Sequence, residues 1–260
     1  MDPTTYFGDR AEDYERWRPG YPRAAVDLAL GGLEAPVRVI DLGSGTGIAA
    51  RAFAAAGCEV TGVEPDPVMR ARAAAHPAPA GGPPPRYVAG RAEETGLAAG
   101  SAALVVAAQA FHWFDFAAAT REMHRVLRRG GRLALLWNLR SEREPFMAEY
   151  AAVVRAAQDA AEAGGRRVSR SRSASPDESP WFAQVRRHSC ENAEELSFAG
   201  VVGRISSASY FPRPVAGPEG ELRRALLARL EEAFDAYAED GRARFVQTTE
   251  LTLAEATAQR

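Results

Sequence analysis

Lysine is absent from this sequence of 260 residues, and all 32 basic residues are arginine. The 34 acidic residues slightly outnumber them, so the formal net charge is -2. Because the chain has no excess of positive charge to offer a polyanion, we expect no nucleic-acid partner. Long apolar runs are also absent, and none approaches the roughly 20 residues that span a bilayer. We therefore expect no membrane partner.

Cysteine is scarce, since only Cys58 and Cys190 occur, far apart and without a CxxC spacing. This pattern argues against a disulfide framework and against a structural zinc site, and we predict no metal. The acidic, polar stretch MDPTTYFGDRAEDYERW at residues 1–17 does not resemble a signal peptide. Together these features predict a cytoplasmic protein.

The first half of the chain alternates strand-like and helix-like segments. Apolar runs typical of strands lie at residues 37–42, 58–64, 86–90, 103–110 and 132–138. Before the last of them, a helix-like segment that begins at residue 116 is predicted to end at Gly130 and Gly131. Such alternation predicts an α/β fold with a doubly wound parallel sheet.

The second half of the chain is less regular. It predicts helices near residues 145–163, 193–204 and 219–239, and two late strands at 181–190 and 243–253. Residues 164–180 are rich in arginine and serine and have little to bury, so we expect a mobile loop there.

A glycine-rich turn follows the first predicted strand, in the stretch VIDLGSGTGIAARAFAAAG at residues 39–57. Gly43 and Gly45 let the backbone turn sharply and let a ligand approach it closely. Glu64 ends the second strand about twenty residues on, where its carboxylate could accept hydrogen bonds from a ribose. The turn thus predicts a nucleotide site.

The glycine pattern alone leaves the nucleotide open, because GTGIAA also matches the dinucleotide fingerprint G-x-G-x-x-A. A nicotinamide-dependent oxidoreductase is therefore one hypothesis. Asp41, at the end of the first strand, would repel a pyrophosphate at the following helix N-terminus. A ligand that carries a sulfonium would tolerate this carboxylate.

Five motifs in order carry a family resemblance: VIDLGSGTG, VTGVEPDPVM, GRAEETGL, AAQAFHWFD and VLRRGGRLALLWN. They are similar to those of class I S-adenosylmethionine-dependent methyltransferases, in the small-molecule, type 11-like group. The match covers residues 37–138, and YERWRPGYP at residues 14–22 resembles that group's N-terminal segment.

The resemblance implies a Rossmann-like, seven-stranded, mostly parallel sheet with an antiparallel last strand and a helical cover. It implies a single methyltransferase domain over residues 1–260, with a core at about 35–140, an N-terminal cap at 1–34 and a C-terminal cover at 141–260. The implied cofactor is S-adenosyl-L-methionine.

The resemblance also assigns roles to individual residues around that cofactor. It implies that Gln109 and the glycine turn hold the methionine end, that Glu64 holds the ribose, and that the segment GRAE borders the adenine. Many relatives have an aspartate where this chain has Arg91, which cannot accept from the adenine amino group. The implied cofactor-binding residues are Asp41, Gly43, Ser44, Gly45, Glu64, Ala92, Glu93, Gln109, Tyr14 and Arg18.

His112 is the candidate catalytic base, since a histidine of ordinary pKa near 6.5 could take a proton from the acceptor. The alternative is a structural histidine, hydrogen-bonded beneath the sheet. Ser207 and Tyr210 are candidate pocket residues. The predicted function is methyl transfer to a small molecule by in-line displacement. A non-catalytic S-adenosylmethionine-binding protein also stays open at this point.

Overall fold

A computed structural model of the protein describes residues 17–166 and 175–258. Tyr14, one of the predicted cofactor contacts, lies outside these residues. So do residues 167–174 of the predicted loop at 164–180, and the mobility of this loop stays a prediction. Within the described ranges, no helix combines the length and the apolar character that crossing a membrane requires.

Seven strands form one sheet with the spatial order β3-β2-β1-β4-β5-β7-β6. The strands are β1 (Arg38–Leu42), β2 (Glu59–Val63), β3 (Arg86–Val88), β4 (Ala102–Ala108), β5 (Leu127–Arg140), β6 (Phe182–Leu196) and β7 (Ala243–Ala256). The first five pair in parallel, and β7 is antiparallel to both of its neighbours. This confirms the doubly wound, seven-stranded sheet and its antiparallel last strand.

Helices cover both faces of the sheet. They are α1 (Arg23–Leu30), α2 (Ile48–Ala55), α3 (Pro67–Ala75), α4 (Phe116–Val126), α5 (Pro145–Ala163), α6 (Phe198–Ser206) and α7 (Pro218–Tyr237), with short 3-10 turns at Phe111–Trp113 and Pro176–Glu178. The apolar side chains of α1 and α2 share one buried cluster with β1, β4 and β5, and those of α4 share another on the opposite face. A third cluster joins α5, α6 and α7 to the start of β7.

The helix before β5 ends earlier than predicted, at Val126 and not at Gly130. Leu127 already pairs with Ala102 of β4, and the next pair joins Leu104 to Arg132. The four residues 128–131 therefore bulge opposite a single residue of β4, and Gly130 adopts the left-handed φ of 72° within this bulge. Pairing with β4, and not a glycine cap, ends the helix.

The predicted helix at 193–204 is also wrong in its first part, because β6 continues to Leu196. Residues 191–196, ENAEEL, have little strand propensity of their own. They pair in register with β7 as far as Leu196 opposite Ala243. A long partner strand therefore overrides the local preference, and α6 starts only after its N-cap Ser197.

The chain topology determines where a ligand can bind. From β1 the chain continues to β2 and β3 on one side of β1 and then crosses to β4 on the other side. The strand order therefore reverses between β1 and β4. In open α/β sheets such a reversal leaves a crevice at the carboxyl ends of the strands. The glycine turn after β1 opens into this crevice.

Glu122 of α4 anchors the loop that leads from β3 to β4. Its buried carboxylate accepts hydrogen bonds from the Thr95 backbone N–H at 2.9 Å and from the Thr95 hydroxyl at 2.6 Å. Arg125 donates to it at 2.6 Å and also reaches the Leu97 carbonyl at 2.7 Å. The Arg125 guanidinium, together with the Thr95 bonds, lowers the pKa of Glu122 to about 2 against the opposing effect of burial. The loop that carries Ala92 is thereby held to α4.

We expect Glu122→Gln to lower the free energy of unfolding by about 2 kcal/mol at pH 7, because a charged acceptor of several hydrogen bonds is lost. Since the folded pKa of Glu122 lies below its ordinary value of 4.5, this stabilisation is present above pH 4.5. It should be lost as the pH falls towards 2. Urea unfolding of both proteins at several pH values measures the difference.

Glu232→Gln is the matched control, because Glu232 is exposed on α7. It should change stability by less than about 0.5 kcal/mol. If Glu122→Gln lowers the free energy of unfolding by the same amount at pH 3 and pH 7, the proposed role of the Glu122 charge is contradicted.

Candidate active site

The turn between β1 and α2 has the backbone that its glycines allow. Gly43, Gly45 and Gly47 all take left-handed φ values, of 64°, 54° and 81°. A Cβ at Gly43 would lie 2.8 Å from the Ala110 Cβ, so only glycine fits there. A Cβ at Gly45 would meet no atom within 4 Å. The turn is therefore tightly packed on the β4 side and open at Gly45.

Glu64 connects this turn to the end of β2. One carboxylate oxygen accepts from the Gly45 N–H at 2.7 Å, and the other accepts from the Asp66 N–H at 2.9 Å. Burial raises the pKa of Glu64, and the two N–H donors partly offset this rise. Each carboxylate oxygen has a second lone pair, so the group can still accept hydrogen bonds from a ligand.

Asp41 lies beneath the turn with 1% of its surface exposed. Neither carboxylate oxygen accepts a hydrogen bond of normal geometry from the described residues, although the Ala50 N–H is close enough to act on the carboxylate. The Ser44 hydroxyl is also buried and has no hydrogen-bond partner among these residues. Burial raises the pKa of Asp41 to about 7, an effect that the Ala50 N–H opposes and the Glu64 charge increases. A buried acid without a partner, beside open space at Gly45, fits a ligand that carries positive charge.

The next turn, after β2, is built as predicted. Asp66 caps α3, because its carboxylate accepts from the N–H groups of Val68 at 2.8 Å and Met69 at 3.2 Å. Pro67 takes the first helical position. The Arg70 guanidinium donates to the Glu64 carbonyl at 2.7 Å and so holds the turn from the helix side.

The predicted adenine edge has a different arrangement. The Glu93 carboxylate accepts from the Asp115 N–H at 2.9 Å, at the start of α4, and it pairs with Arg91 at 3.5 Å. Glu93 thus fastens its loop to α4. Ala92 beside it is buried. Contact of Ala92 and Glu93 with a cofactor stays a prediction.

Gln109 leaves the end of β4 in a left-handed conformation, with φ of 55°. Its N–H donates to the Leu136 carbonyl at 2.9 Å, and its side-chain amide donates to the Asn138 carbonyl at 3.1 Å. Both hydrogen bonds tie Gln109 to β5. The next residue along the chain, Ala110, packs against Gly43. The structure therefore places Gln109 next to the glycine turn.

His112 lies between two indole rings, with ring centroids 4.7 Å from Trp113 and 5.2 Å from Trp137. Burial lowers the pKa of its imidazole, which keeps the ring neutral at pH 7. Its Nδ1 is buried, and no described residue forms a hydrogen bond with it. The described residues thus supply no hydrogen bond to Nδ1, and both the base role and the structural alternative stay predictions.

Sequence reasoning missed a polar clamp formed by Asn138, Asn192 and Thr249. The side-chain amides of Asn138 and Asn192 both donate to the Gly20 carbonyl, at 3.0 Å and 2.9 Å. The Asn138 side-chain oxygen accepts in turn from the Thr249 hydroxyl and from Asn192. No signal in the sequence joins these residues, which come from three different strands.

The clamp fixes where the N-terminal segment crosses the sheet. From there Arg18 extends towards α6, where its guanidinium lies 3.5 Å from the Ser207 carbonyl. The predicted pocket residue Ser207 is buried, and its hydroxyl donates to the Arg204 carbonyl at 2.7 Å. Arg18 is therefore placed beside α6, and its contact with a cofactor stays a prediction.

We expect Asp41→Asn to stabilise the free protein, because the neutral amide avoids a buried charge. The folded pKa of about 7 lies above the ordinary value of 3.8, so the cost of ionising Asp41 is absent below pH 3.8 and complete above pH 7. The gain in the free energy of unfolding should be small near pH 4 and reach at least about 2 kcal/mol at pH 8. Denaturant unfolding of both proteins across this range tests it, and a gain that does not change with pH would contradict it.

Comparison with known proteins agrees with this geometry. A family profile described as a methyltransferase domain matches residues 40–135. An uncharacterized methyltransferase of Mycobacterium tuberculosis is 37% identical over 213 residues, which cover 80% of this chain and 79% of the relative. An uncharacterized methyltransferase-like protein of Schizosaccharomyces pombe is 32% identical and covers 59% of each chain.

Solved structures share the fold at low identity. A candidate type II methyltransferase from Anaeromyxobacter dehalogenans has a TM-score of 0.62 and 23% identity, covering 92% of this chain and 97% of that one. Phosphoethanolamine N-methyltransferase 2 of Haemonchus contortus, solved with S-adenosyl-L-methionine, has a TM-score of 0.52 and 17% identity, covering 99% and 59%. With the motifs, the sheet order and these relatives in agreement, this chain belongs to the class I S-adenosylmethionine-dependent methyltransferases.

Proposed function

We propose that this enzyme binds S-adenosylmethionine in the crevice between β1 and β4 and transfers its methyl group to a small-molecule acceptor. The observation that carries the proposal is the buried Asp41 carboxylate, which accepts no hydrogen bond of normal geometry from the described residues and precedes the glycine turn that is open at Gly45. A buried carboxylate without a partner fits the positively charged end of this cofactor. Glu64, whose carboxylate lies 2.7 Å from the Gly45 N–H, would hold the ribose beside it.

When bound, S-adenosylmethionine supplies a methyl group that is already activated by a sulfonium sulfur. The protein therefore has to orient the acceptor and exclude water more than it has to activate the donor. Gln109, fixed to β5 by two hydrogen bonds, borders the acceptor side of the turn. The Trp113 and Trp137 rings pack on the His112 imidazole, and in the proposed complex they would border the acceptor.

His112 would accept the proton that an acceptor hydroxyl or amine loses. Burial lowers its pKa, so the imidazole is in the neutral form that can take up a proton. An acceptor that is already ionised would not require this step. A base at His112 would therefore assist methyl transfer to some acceptors, but methyl transfer does not require it.

Two other functions make different binding predictions. A nicotinamide-dependent oxidoreductase would place a pyrophosphate near Asp41, where the carboxylate would repel it. A non-catalytic binding protein would take up the same cofactor without turnover. Cytoplasmic location stays a prediction of the sequence.

Calorimetry of the purified protein with S-adenosylmethionine, S-adenosylhomocysteine and NAD tests the proposal. We expect saturable binding of both sulfur compounds and none of NAD. Binding of NAD without binding of S-adenosylhomocysteine would overturn it. Formation of S-adenosylhomocysteine with a panel of small acceptors then separates an enzyme from a binding protein.

We further expect Glu64→Ala to weaken S-adenosylhomocysteine binding at least about tenfold, because hydrogen bonds between the ribose and a charged group are lost. Since the Glu64 carboxylate also accepts from Gly45 and Asp66, the melting temperature of the variant has to be measured beside its affinity. Glu64→Gln, which retains an acceptor oxygen without the charge, should show an intermediate loss.

The matched control for this series is Glu59→Ala, at the exposed start of the same strand. It should leave the dissociation constant unchanged. An unchanged dissociation constant for Glu64→Ala would show that the ribose is held elsewhere.

A further inference from the structure

Cationic and phenolic side chains gather at the far end of the crevice, where the N-terminal segment, β5, α5 and α6 meet. We call this group the Arg204 cluster, and its members are Arg18, Arg140, Tyr150, Arg204 and Tyr210. Arg18 is also a predicted cofactor contact, but the other four groups have no part in binding the cofactor as proposed above.

Arg204 is the buried centre of the cluster, with 8% of its surface exposed. Its guanidinium donates to the Glu194 carboxylate at 2.9 Å and to the Gln247 side-chain oxygen at 3.4 Å. Its central carbon lies 4.9 Å from the centroid of the Phe245 ring. The Nε atom is buried, and no described residue accepts from it. Arg204 therefore has a donor left over after its structural contacts are made.

Arg140 stands on the same side of the sheet. It lies directly opposite Gln247 across the β5–β7 pair, and residues that face each other in this way point to one face. Because the Gln247 side chain meets Arg204 on that face, Arg140 extends towards it as well. No carboxylate among the described residues forms an ion pair with Arg140. Its positive charge is therefore available to a ligand.

Tyr150 of α5 adds a hydroxyl to this group. It is 3% exposed, and its ring packs edge-on against Phe245 at 4.9 Å. No described residue forms a hydrogen bond with the Tyr150 hydroxyl. Burial and the nearby Tyr210 raise the pKa of Tyr150, and the charges of Arg140, Arg204 and Arg18 oppose the rise. Three guanidinium groups are thus close enough to act on one buried hydroxyl.

The two arginines nearest to Gln247, Arg204 and Arg140, differ in their ion pairing among the described residues. Glu194 neutralises Arg204, but Arg140 has no such partner. A buried donor is stable when an acceptor completes it, and the buried Nε of Arg204 has none among the described residues. The unused Nε donor of Arg204, the exposed guanidinium of Arg140 and the Tyr150 hydroxyl together match an oxyanion, for which arginine is well suited.

We propose that the Arg204 cluster binds the carboxylate or phosphate group of the methyl acceptor. The inference rests on the proposed function, because it assumes that the acceptor enters the same crevice. Asn138, whose carbonyl is bonded to Gln109, lies two residues before Arg140 on β5. At about 3.3 Å per residue the anion would therefore lie roughly 7 Å further along the strand than the Asn138 contact. A small acceptor can span that distance.

The test measures binding of two simple anions, inorganic phosphate and succinate, to the protein saturated with S-adenosylhomocysteine. Calorimetry is done at constant ionic strength, with sodium chloride as the balancing salt and succinamide as the uncharged counterpart of succinate. We expect at least one anion to bind and succinamide not to bind. Preference for succinate indicates an acceptor carboxylate, and preference for phosphate indicates an acceptor phosphate.

Arg140→Gln and Tyr150→Phe are the decisive variants, because each removes a ligand group without removing a hydrogen bond seen in the described residues. We expect each to weaken anion binding about tenfold or more, as for the loss of a hydrogen bond to a charged group. Arg140→Lys should retain part of the affinity. Arg128→Gln, an exposed change in the β5 bulge, is the control and should have no effect.

The outcomes separate this inference from the proposed function. Retained S-adenosylhomocysteine binding with lost anion binding in Arg140→Gln supports the cluster as the acceptor site. Absence of phosphate and succinate binding to the unmodified protein, or equal weakening by Arg128→Gln, would overturn it. Failure of S-adenosylhomocysteine to bind would instead overturn the proposed function, and the anion titration of the free protein would still report on the cluster.

Discussion

One hydrogen bond, from the Gly45 N–H to the Glu64 carboxylate, joins the two parts of the proposed cofactor site. It is 2.7 Å long and connects the turn after β1 to the end of β2. The other oxygen of the Glu64 carboxylate accepts from the Asp66 N–H, and Asp66 in turn caps α3. Turn, strand end and helix start are thus one connected unit. The buried Asp41 and the open face of Gly45 are held in place by this unit.

The charged groups of the crevice are arranged in opposite senses at its two ends. Asp41 precedes the glycine turn and accepts no hydrogen bond of normal geometry from the described residues, and Arg140 is exposed at the carboxyl end of β5 without an ion pair to a described residue. In the two proposals above, Asp41 meets the cationic methyl donor and Arg140 meets an anionic acceptor. Such a separation would orient both molecules before the methyl group moves, which is the main task in this kind of displacement.

The clamp of Asn138, Asn192 and Thr249 links this crevice to the N-terminal segment. Both asparagine amides hold the Gly20 carbonyl, so the segment that carries Arg18 crosses the sheet at a defined place. The same Asn138 accepts from Gln109 through its carbonyl. A change in the clamp would therefore act both on Gln109 and on the segment that carries Arg18.

The sequence by itself determined the sheet, the glycine turn and the cap at Asp66, because these depend on apolar periodicity and on residues that are neighbours along the chain. It also indicated Asp41 and Glu64, which end two adjacent parallel strands. Only the tertiary structure decided where β6 ends, since pairing with β7 overrides the helix preference of residues 193–196. The tertiary structure likewise decided the positions of the clamp and of the Arg204 cluster. Their members lie on separate strands, helices and the N-terminal segment, and only the register of β5, β6 and β7 and the packing of α5 and α6 bring them together.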